Sequence, residues 1–273
     1  MNTFFLDRLN GEPHALAFAG QSTPWPVALT DQSANPVLNE ALHAHADAAQ
    51  ALLYPVSADL LATTGRPVDL FGFEPNPARL GAAAAASASV PGIALAQLGA
   101  LLDAASLGYN PAVAKPVAVL GHSQGVLAVH MVQSIVEAGS IEAASAQIDE
   151  ILAIATLIGV AGTRQARQLG LAARHGEATP MLSIKDITRA QVDALIKRVS
   201  GARGPIAVAV TNSATHYVLS GYPEDLAAFG VEVAKEHKHQ AKLREEKVRG
   251  GRVFEPVLEY LDVTLPFHSP LMA

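Results

Sequence analysis

The sequence predicts an α/β protein with a buried parallel sheet and a smaller inserted subdomain. Short all-apolar runs, such as residues 15–19 and 117–120, are typical of strands buried in a parallel sheet. Segments with helical spacing of apolar residues follow them. From about Pro180 the order of elements changes to βαββα, which is typical of a ferredoxin-like unit. With 273 residues and 50% hydrophobic residues, the chain can bury a large core.

The first third of the chain alternates a predicted strand with predicted helices. "ALAFA", residues 15–19, is a strand that ends in a Gly-Gln turn, and a helix covers roughly residues 36–53. Residues 82–86 are all alanine, the best helix former, and predict a further helix. Pro91 near a helix start, followed by apolar residues at helical spacing, predicts the next helix, which ends at Gly108.

A strand, a turn and a helix follow one another directly near the middle of the chain. "VAVL", residues 117–120, is the strand, Gly121 to Gly125 form the turn, and residues 126–139 form the helix. A longer helix is predicted over roughly residues 144–169.

The second half of the chain contains the elements of the smaller subdomain. In order they are the strand "MLSI", the helix "TRAQVDALIKRVSG", the strands "IAVAVTN" and "HYVLSG", and the helix "PEDLAAFGVEVAKEH". "LEYLDVTLPF" supplies a returning strand that leads to His268. We therefore predict a large subdomain over residues 1–178 and 253–273, and a ferredoxin-like subdomain with a basic connecting segment over residues 179–252.

Composition and charge exclude several classes of protein. The net charge of −6 argues against a general binder of nucleic acid or of membrane surfaces. The absence of cysteine excludes disulfides, thiolate catalysis and cysteine zinc sites. The N-terminus lacks a signal-peptide pattern, and no apolar run approaches the roughly 20 residues of a membrane span. We expect a soluble, cytoplasmic protein, and the abrupt C-terminus suggests a fragment of a longer polypeptide.

One segment has a local charge opposite to that of the whole chain. Lys235 to Arg252 contains seven basic and three acidic residues, a net charge of +4. Its simplest interpretation is a solvated helix face, and the more specific one is a docking surface for an anionic partner.

The motif "GHSQG" interrupts an apolar region between the central strand and helix. A Gly-x-Ser-x-Gly sequence in that context predicts a nucleophile elbow. The turn is so tight that side chains at Gly121 and Gly125 would collide with neighbouring backbone. Ser123 is thereby placed in a strained, exposed position at the start of the helix, where the backbone N–H groups favour negative charge.

A serine nucleophile requires a general base, and the chain has ten histidines. His122 is adjacent to the serine, but neighbouring side chains in a sharp turn point apart, and His130 lies too far along the helix. His268 follows an apolar strand in "PFHSPLM", where a turn exposes it. It is the candidate base; a packing or capping histidine is the alternative.

Acyl transfer also requires donors for the oxyanion that forms on the attacked carbonyl. The backbone N–H of Gln124, directly after the serine, is one candidate. The second comes from "FAGQS", which ends a strand at Gln21, and Gly20 would allow the backbone to approach the site closely. A plain turn glycine is the alternative for Gly20.

Five segments occur in an order that resembles a known family. "AFAGQ", "SVPGIALAQ", "GHSQG", "TNSATHYVLSG" and "PFHSPLM" resemble the acyltransferase domain of fatty acid and polyketide synthases, the malonyl/acetyl transferase family. "GHSQGVLAV", "LIGVAGT" and "KVRGGRVFEPV" are similar, more narrowly, to the N-terminal acetyltransferase region of a bacterial type I fatty acid synthase. The resemblance covers nearly the whole chain.

The resemblance implies an α/β-hydrolase-like large subdomain, a ferredoxin-like small one and a ping-pong reaction. Ser123 would take an acyl group from CoA and pass it to the phosphopantetheine thiol of acyl carrier protein. His268 would act as base and then acid, and the backbone N–H groups of Gln21 and Gln124 would bind the oxyanion. Asn212 matches the family's active-site asparagine.

The implied ligands are substrates rather than resident cofactors. Acetyl-CoA would be the donor and the phosphopantetheine arm of the carrier protein the acceptor, with no permanently bound cofactor and no metal. The partners would be the acyl carrier protein domain and other domains of a fatty acid synthase, with no nucleic acid and no membrane. His122 and Gly20 complete the expected substrate-binding residues, together with Asn212 and Ala161.

Residue 161 departs from the malonyl-transferring members. Those members have an arginine on the helix after the elbow, which pairs with the free carboxylate of malonate. Aligning "LIGVAG" with that helix places Ala161 at the arginine position. We therefore expect a preference for acetyl or another uncharged acyl group, since a buried unpaired carboxylate is costly. Arg164, three residues on, leaves a malonyl transferase open.

Two further functions remain open at this point. A serine hydrolase or thioesterase would use the same elbow with water as acceptor, and it requires an acidic partner for the histidine. The available residues are Asp149, Asp186, Asp193, Asp225 and Asp262. The other alternative is a structural domain that docks a carrier protein or neighbouring subunits through the basic segment.

Overall fold

The computed structural model describes most of the chain as two compact units. One unit is Met1–Arg164 and the other is Gln165–Ala273. The residues described are 4–21, 24–53, 86–171, 178–199, 204–245 and 254–272.

The first unit contains helices around a parallel strand pair. Its elements are α1 (Phe4–Gly11), β1 (Ala15–Phe18), α2 (Trp25–Ser33), α3 (Pro36–Leu53), α4 (Ala86–Ser106), α5 (Pro111–Ala114), β2 (Ala118–Gly121), α6 (Val126–Ala138) and most of α7 (Ser145–Gln168). β1 pairs in parallel with β2, from Ala15 opposite Ala118 to Phe18 opposite Gly121. The parallel pairing and the surrounding helices confirm the predicted α/β class.

Helix α4 forms the centre of the first unit. Ile93, Leu95 and Leu98 are fully buried, so the helix is apolar around most of its circumference. Trp25 of α2 packs on Gly92, where a Cβ atom would lie 2.5 Å from the indole ring. The described part of this helix begins at Ala86, so Pro91, which was expected near the helix start, lies inside the helix.

The second unit has the strand order of a ferredoxin-like fold. Its elements are β3 (Met181–Lys185), α8 (Arg189–Arg198), β4 (Ala207–Ser213), β5 (His216–Ser220), α9 (Pro223–Glu245) and β6 (Val257–Tyr260). The sheet order is β4-β5-β3-β6, with antiparallel pairs throughout. This βαββαβ arrangement confirms the predicted small subdomain.

The two faces of this sheet are covered differently. One face packs Leu182, Ile184 and Leu219 against Phe229 of α9 in a large core. The other face has a small cluster of Met181, Val218 and Val263, against which Phe267 packs. The second face therefore anchors the segment that leads to His268.

The two compact units divide the chain at a different place from the predicted subdomains. We predicted that residues 253–273 belong to the large subdomain, but the described part of that segment belongs to the second unit. The reason is physical: β6 pairs with β3, and the following residues pack on the same sheet. The predicted subdomain boundaries remain a prediction. Residues 82–85 and 246–252, parts of the predicted alanine helix and basic segment, lie outside the described residues.

Two described helices are long and apolar enough to cross a membrane by length and composition. They are Ala86–Ser106 and Ser145–Gln168, each with a mean hydropathy of 1.4. The expectation that no apolar segment approaches that length is therefore wrong. The first helix is 72% buried inside the protein, as the core helix of a soluble protein also is. Length and composition alone are weak grounds for a membrane span.

Candidate active site

The serine motif forms a sharp turn between β2 and α6. His122 has an extended backbone, and Ser123 to Gly125 form one 3-10 turn that runs directly into α6. The φ angle of Ser123 is +52°, in the left-handed region that residues with a Cβ atom rarely occupy. Ser123 is thus held in a strained conformation at the start of a helix, as the motif predicts.

The two motif glycines are required by direct contact with backbone. A Cβ atom at Gly121 would lie 2.5 Å from the carbonyl carbon of Gly125 and from the amide nitrogen of Val126. A Cβ atom at Gly125 would lie 2.3 Å from the carbonyl oxygen of Phe18. Real Cβ atoms do not approach backbone so closely, so both predicted collisions are confirmed.

The end of β1 lies against this turn. The backbone N–H of His122 donates to the carbonyl of Phe18 at 2.9 Å, which extends the parallel pairing past β2. A Cβ atom at Gly20 would lie 2.6 Å from the carbonyl oxygen of His122 and 3.4 Å from the amide nitrogen of Gln124. Gly20 is therefore a site of close backbone approach rather than a plain turn glycine.

Two backbone donors remain available beside the serine. Within the described residues, no acceptor takes a hydrogen bond from the backbone N–H of Gln21 or of Gln124. These are the two groups that sequence reasoning nominates for the oxyanion. Gln124 lies in the 3-10 turn that leads into α6, so its backbone N–H is close to the positive end of the helix dipole.

Side-chain hydrogen bonds surround the turn on the side of α4. The Gln21 Nε2 donates to Gln124 Oε1, and Gln124 Nε2 donates to the carbonyl of Val90 at 2.5 Å. The Gln97 Nε2 donates to the carbonyl of Ala19 at 2.6 Å. Gln97 was not identified from the sequence as a residue that contacts this turn. Its signal is a polar residue in the middle of an apolar helix, since buried polar groups require partners.

His268 lies in a turn of the second unit. It is exposed, and its φ angle is +57°, again in the left-handed region. The next residue fixes the turn: Ser269 Oγ donates to the carbonyl of Pro266 at 2.6 Å and accepts from the N–H of Leu271 at 3.2 Å. The packing of Phe267 on the sheet fixes the residue on the other side. The predicted exposed turn is observed.

Asn212 lies in the same unit, at an irregularity of β4. The pairing of β4 with β5 shifts register between Thr211 and Ser213, so Asn212 is the extra residue of a β-bulge. Its Nδ2 lies 3.4 Å from His216 Nε2, which lies 3.1 Å from Ser183 Oγ. Sequence reasoning missed the contact between Asn212 and His216, because the register shift is not visible in the sequence.

The structure brings together five of the predicted site residues. They are the residues around the serine turn: Gly20, Gln21, His122, Ser123 and Gln124. Asn212 and His268 belong to the second unit, so a hydrogen bond between Ser123 and His268 remains a prediction. Ala161 and Arg164 lie three residues apart on α7, both exposed, and within the described residues Arg164 has no ion-pair partner.

A hydrolase would require one acidic partner for its histidine, and several of the candidate aspartates contact other groups instead. Asp149 contacts His45 Nδ1 at 2.6 Å, between α7 and α3. Asp193 pairs with Arg189 at 2.9 Å, and the nearly buried Asp225 accepts from the N–H of Gly204 at 3.3 Å. Across the described ranges, no group of three or more histidine, aspartate or glutamate side chains could bind a metal ion.

Four titratable groups in the described residues have clearly shifted pKa values. Burial raises the pKa of Tyr109, whose hydroxyl contacts His14 Nε2 at 2.8 Å, and of Tyr260. Hydrogen bonds from its own backbone and from Ser140 lower the pKa of Glu142. Hydrogen bonds from Gln240 and Arg198 lower the pKa of Glu236.

Comparison with known sequences relates the second half of the chain to fatty acid synthases. Residues 180–260, which contain the ferredoxin-like elements, match the family described as "Fatty acid synthase central AT domain". The chain is also 27% identical, over 164 residues, to fatty acid synthase beta subunit hexB of Dothistroma septosporum. That match covers 55% of this chain and 8% of the subunit.

Comparison with solved structures covers nearly the whole chain. MCAT from Mycobacterium tuberculosis is similar with a TM-score of 0.56 at 20% identity, over 96% of this chain and 66% of that one. Malonyl CoA-acyl carrier protein transacylase from Coxiella burnetii is similar with a TM-score of 0.52 at 18% identity, over 96% and 65%. A loading acyltransferase from the avermectin modular polyketide synthase is similar with a TM-score of 0.55 at 18% identity, over 94% of this chain and 64% of that one. The chain thus has the α/β fold of these acyltransferases, and it spans about two thirds of their length.

Proposed function

We propose that this protein is an acyltransferase of fatty acid synthesis. It takes an acetyl or another uncharged acyl group from CoA and transfers it to the phosphopantetheine thiol of acyl carrier protein, through an acyl ester on Ser123. The partners are the carrier-protein domain and the other domains of a fatty acid synthase, in the cytoplasm. The matched family and the fold of the similar structures support this proposal.

The geometry of the serine turn is the observation that supports it most. Ser123 has a left-handed backbone between two glycines that tolerate no side chain. Within the described ranges, no acceptor takes a hydrogen bond from the backbone N–H of Gln21 or of Gln124, the two donors proposed for the oxyanion. A surface serine in an ordinary turn needs none of these features, whereas a nucleophile facing an oxyanion site needs all of them.

In the first half-reaction, Ser123 is acylated. His268 accepts the proton of Ser123 Oγ as the oxygen attacks the thioester carbonyl of acetyl-CoA. The negative charge that develops on the carbonyl oxygen is bound by the backbone N–H groups of Gln21 and Gln124. The carbon–sulfur bond then breaks, the CoA sulfur takes the proton from His268, and an acetyl ester remains on Ser123.

In the second half-reaction, the same groups act in reverse order. His268 accepts the proton of the phosphopantetheine thiol, and the sulfur attacks the ester carbonyl. The same two N–H groups bind the oxyanion. The carbon–oxygen bond breaks, Ser123 Oγ recovers its proton from His268, and the acetyl thioester leaves on the carrier protein. Asn212 positions the substrate.

The preference for an uncharged acyl group is proposed from Ala161. A methyl side chain offers no charge to pair with a malonate carboxylate, so Ala161 gives malonate none of the attraction that an arginine at this position would give. The basic residues of α9 are proposed to contribute to carrier-protein docking. Part of that charge is already paired, since Lys235 contacts Glu232 at 2.6 Å.

A malonyl transferase is the second candidate, and one observation favours it. Arg164 is an exposed guanidinium three residues after Ala161, and the described part of the chain offers it no ion-pair partner. One of the structurally similar proteins is named a malonyl CoA-acyl carrier protein transacylase. On this hypothesis Arg164 would pair with the malonate carboxylate.

A transfer assay separates these candidates. Acetyl-CoA and malonyl-CoA compete for transfer to a carrier protein that has its phosphopantetheine arm, and both the acyl carrier protein and free acid are measured. We expect acetyl-carrier protein as the main product and little acetate. A predominance of malonyl transfer, abolished by Arg164→Met, would favour the malonyl transferase. Free acetate without carrier-protein product would indicate a hydrolase.

A further inference from the structure

Gly20 is required at the proposed oxyanion site, but a glycine alone does not fix the direction of the backbone there. The turn accepts no side chain there, because a Cβ atom would lie 2.6 Å from the carbonyl oxygen of His122. Glycine, however, is the residue with the greatest backbone freedom. The N–H of Gln21 follows this glycine directly, so its direction depends on how the backbone on both sides of Gly20 is held.

The side of Gly20 toward β1 is held by Gln97. Its Nε2 donates to the carbonyl of Ala19 at 2.6 Å, across 78 positions of sequence. Gln97 is 9% exposed, and its Oε1 is buried with no hydrogen-bond partner among the described residues. An unpaired buried oxygen lowers stability, so an apolar side chain of the same shape would suit the apolar helix α4 better.

The other side of Gly20 is held by Gln124. Its Oε1 accepts from Gln21 Nε2, and its Nε2 donates to the carbonyl of Val90 on α4. The side chain of Gln124 thus connects Gln21 to the core helix, and its backbone N–H is the other proposed oxyanion donor. Both connections end on α4, which is buried over most of its length.

We propose that Gln97 and the side chain of Gln124 are positioning residues that hold the oxyanion donors from helix α4. Each fixes one flank of Gly20, so the Gln21 N–H keeps its direction while the charge on the oxyanion develops. The inference rests on the proposed acyl transfer. It adds a function for two side chains that touch neither the substrate nor the reacting atoms.

Gln97→Met tests this inference, because methionine keeps the volume and removes the amide. We expect kcat for acetyl transfer to fall about 10- to 100-fold, less than the roughly 100- to 1,000-fold cost of losing a donor outright. KM for acetyl-CoA stays unchanged, and Tm stays level or rises, since the unpaired Oε1 is gone. Gln124→Met lowers kcat in the same way, since it leaves the backbone N–H in place.

Gln32→Met is a matched control. Gln32 Nε2 also donates to a carbonyl of α4, that of Ala96 at 2.9 Å, and its Oε1 also has no partner among the described residues. Gln32 lies on α2, and this hydrogen bond joins it to α4 rather than to the serine turn. We expect Gln32→Met to retain the wild-type kcat. Equal losses in Gln32→Met and Gln97→Met would overturn the inference, as would a kcat loss that follows a fall in Tm.

Amide hydrogen exchange provides a second test that needs no turnover. Gln97→Met should speed exchange of the His122 N–H, which donates to the carbonyl of Phe18 beside Ala19, relative to wild type, and Gln32→Met should not. Unchanged exchange in Gln97→Met overturns the inference, whatever the activity. Failure of the proposed function is distinguishable, because it appears as a wild-type protein that forms no acyl-Ser123.

Discussion

The serine turn and the histidine turn reach the same unusual backbone by different means. Ser123 and His268 both have left-handed φ angles, of +52° and +57°. Around Ser123 the conformation is fixed by main chain packed on main chain, because glycines at positions 121 and 125 leave no room for side chains. Around His268 it is fixed by the hydroxyl of Ser269 and by the packing of Phe267 on the small sheet.

This difference predicts how each region responds to change. A region held by backbone contact fails when an atom is added, since backbone cannot move aside as a flexible side chain can. A region held by a hydroxyl fails when an atom is removed, because buried polar groups then lose their partners. The following predictions test these opposite sensitivities, from the largest expected effect to the smallest.

Adding one methyl group at Gly125 should have the largest effect. The new Cβ atom would lie 2.3 Å from the carbonyl oxygen of Phe18, so the serine turn must shift. A displacement of about 1 Å can cost about 100-fold in rate, and overpacking costs about 1–3 kcal/mol. We expect Gly125→Ala to lose at least that rate in an acyl transfer assay and to unfold at lower urea concentration.

Gly139→Ala is the matched control for that change. Gly139 has a φ of +89° and open space around its Cα hydrogen, so alanine there adds backbone strain without a collision. The strain costs about 1–2 kcal/mol. Activity should be retained, and a rate loss equal to that of Gly125→Ala would contradict the account of the serine turn.

Removing one oxygen at Ser269 should loosen the histidine turn. Ser269→Ala leaves the carbonyl of Pro266 and the N–H of Leu271 without their partner in a buried position, at a cost of about 1–3 kcal/mol. We expect kcat to fall with little change in KM, as His268 loses its fixed direction. Ser106→Ala removes a hydroxyl bonded to the Asp103 carbonyl at an exposed site and should have no effect on rate.

The strain at the two left-handed residues can be measured directly. Glycine accepts a left-handed backbone without the penalty that a Cβ atom adds, which is about 1–2 kcal/mol. Ser123→Gly should therefore unfold at higher urea concentration than Ser123→Ala, and His268→Gly than His268→Ala. Glycine also gains entropy in the unfolded chain, so the net difference should be about 1 kcal/mol. If the glycine and alanine variants at each position had the same free energy of unfolding, the left-handed backbone would not be strained.

The smallest effect is expected at Glu236, outside both turns. Hydrogen bonds from Gln240 and Arg198 lower the pKa of Glu236. A carboxyl with a lowered folded-state pKa stabilises the protein above its ordinary pKa, and this contribution is lost as the pH falls through the lowered value. Glu236→Gln should reduce the free energy of unfolding at pH 7 by less than about 1 kcal/mol, since Arg198 is half-exposed. The difference should disappear in acid, and the acyl transfer rate should stay unchanged.

The sequence was sufficient to predict the serine turn because its determinants are local. The apolar strand, the two glycines and the following helix all lie within the 21 residues from Ala118 to Ala138, and each imposes its own geometry. The exposed turn at His268 was also predicted, from an apolar strand that ends in "PFHSP". The βαββα order of elements in the small unit was also predicted, from the spacing of apolar residues along the chain.

The features that could not be predicted depend on contacts distant in sequence. The bond from Gln97 to Ala19 spans 78 positions, and only the packing of α4 against the serine turn creates it. The bulge that places Asn212 beside His216 depends on a register shift between two strands, which no local pattern specifies. The first turn of α4 also packs closely on α7, where Gly159 leaves room for the carbonyl of Ala86, and no local pattern specifies that contact.

The central claim is that Ser123 accepts an acyl group from CoA. The most direct measurement is the intact mass of the protein after brief incubation with acetyl-CoA and, separately, with malonyl-CoA, for wild type and Ser123→Ala. The account predicts one acetyl group on the wild-type protein, none on Ser123→Ala, and a weaker malonyl adduct. A wild-type protein that gains no acyl group from either substrate, or an acetyl adduct that persists in Ser123→Ala, would contradict it.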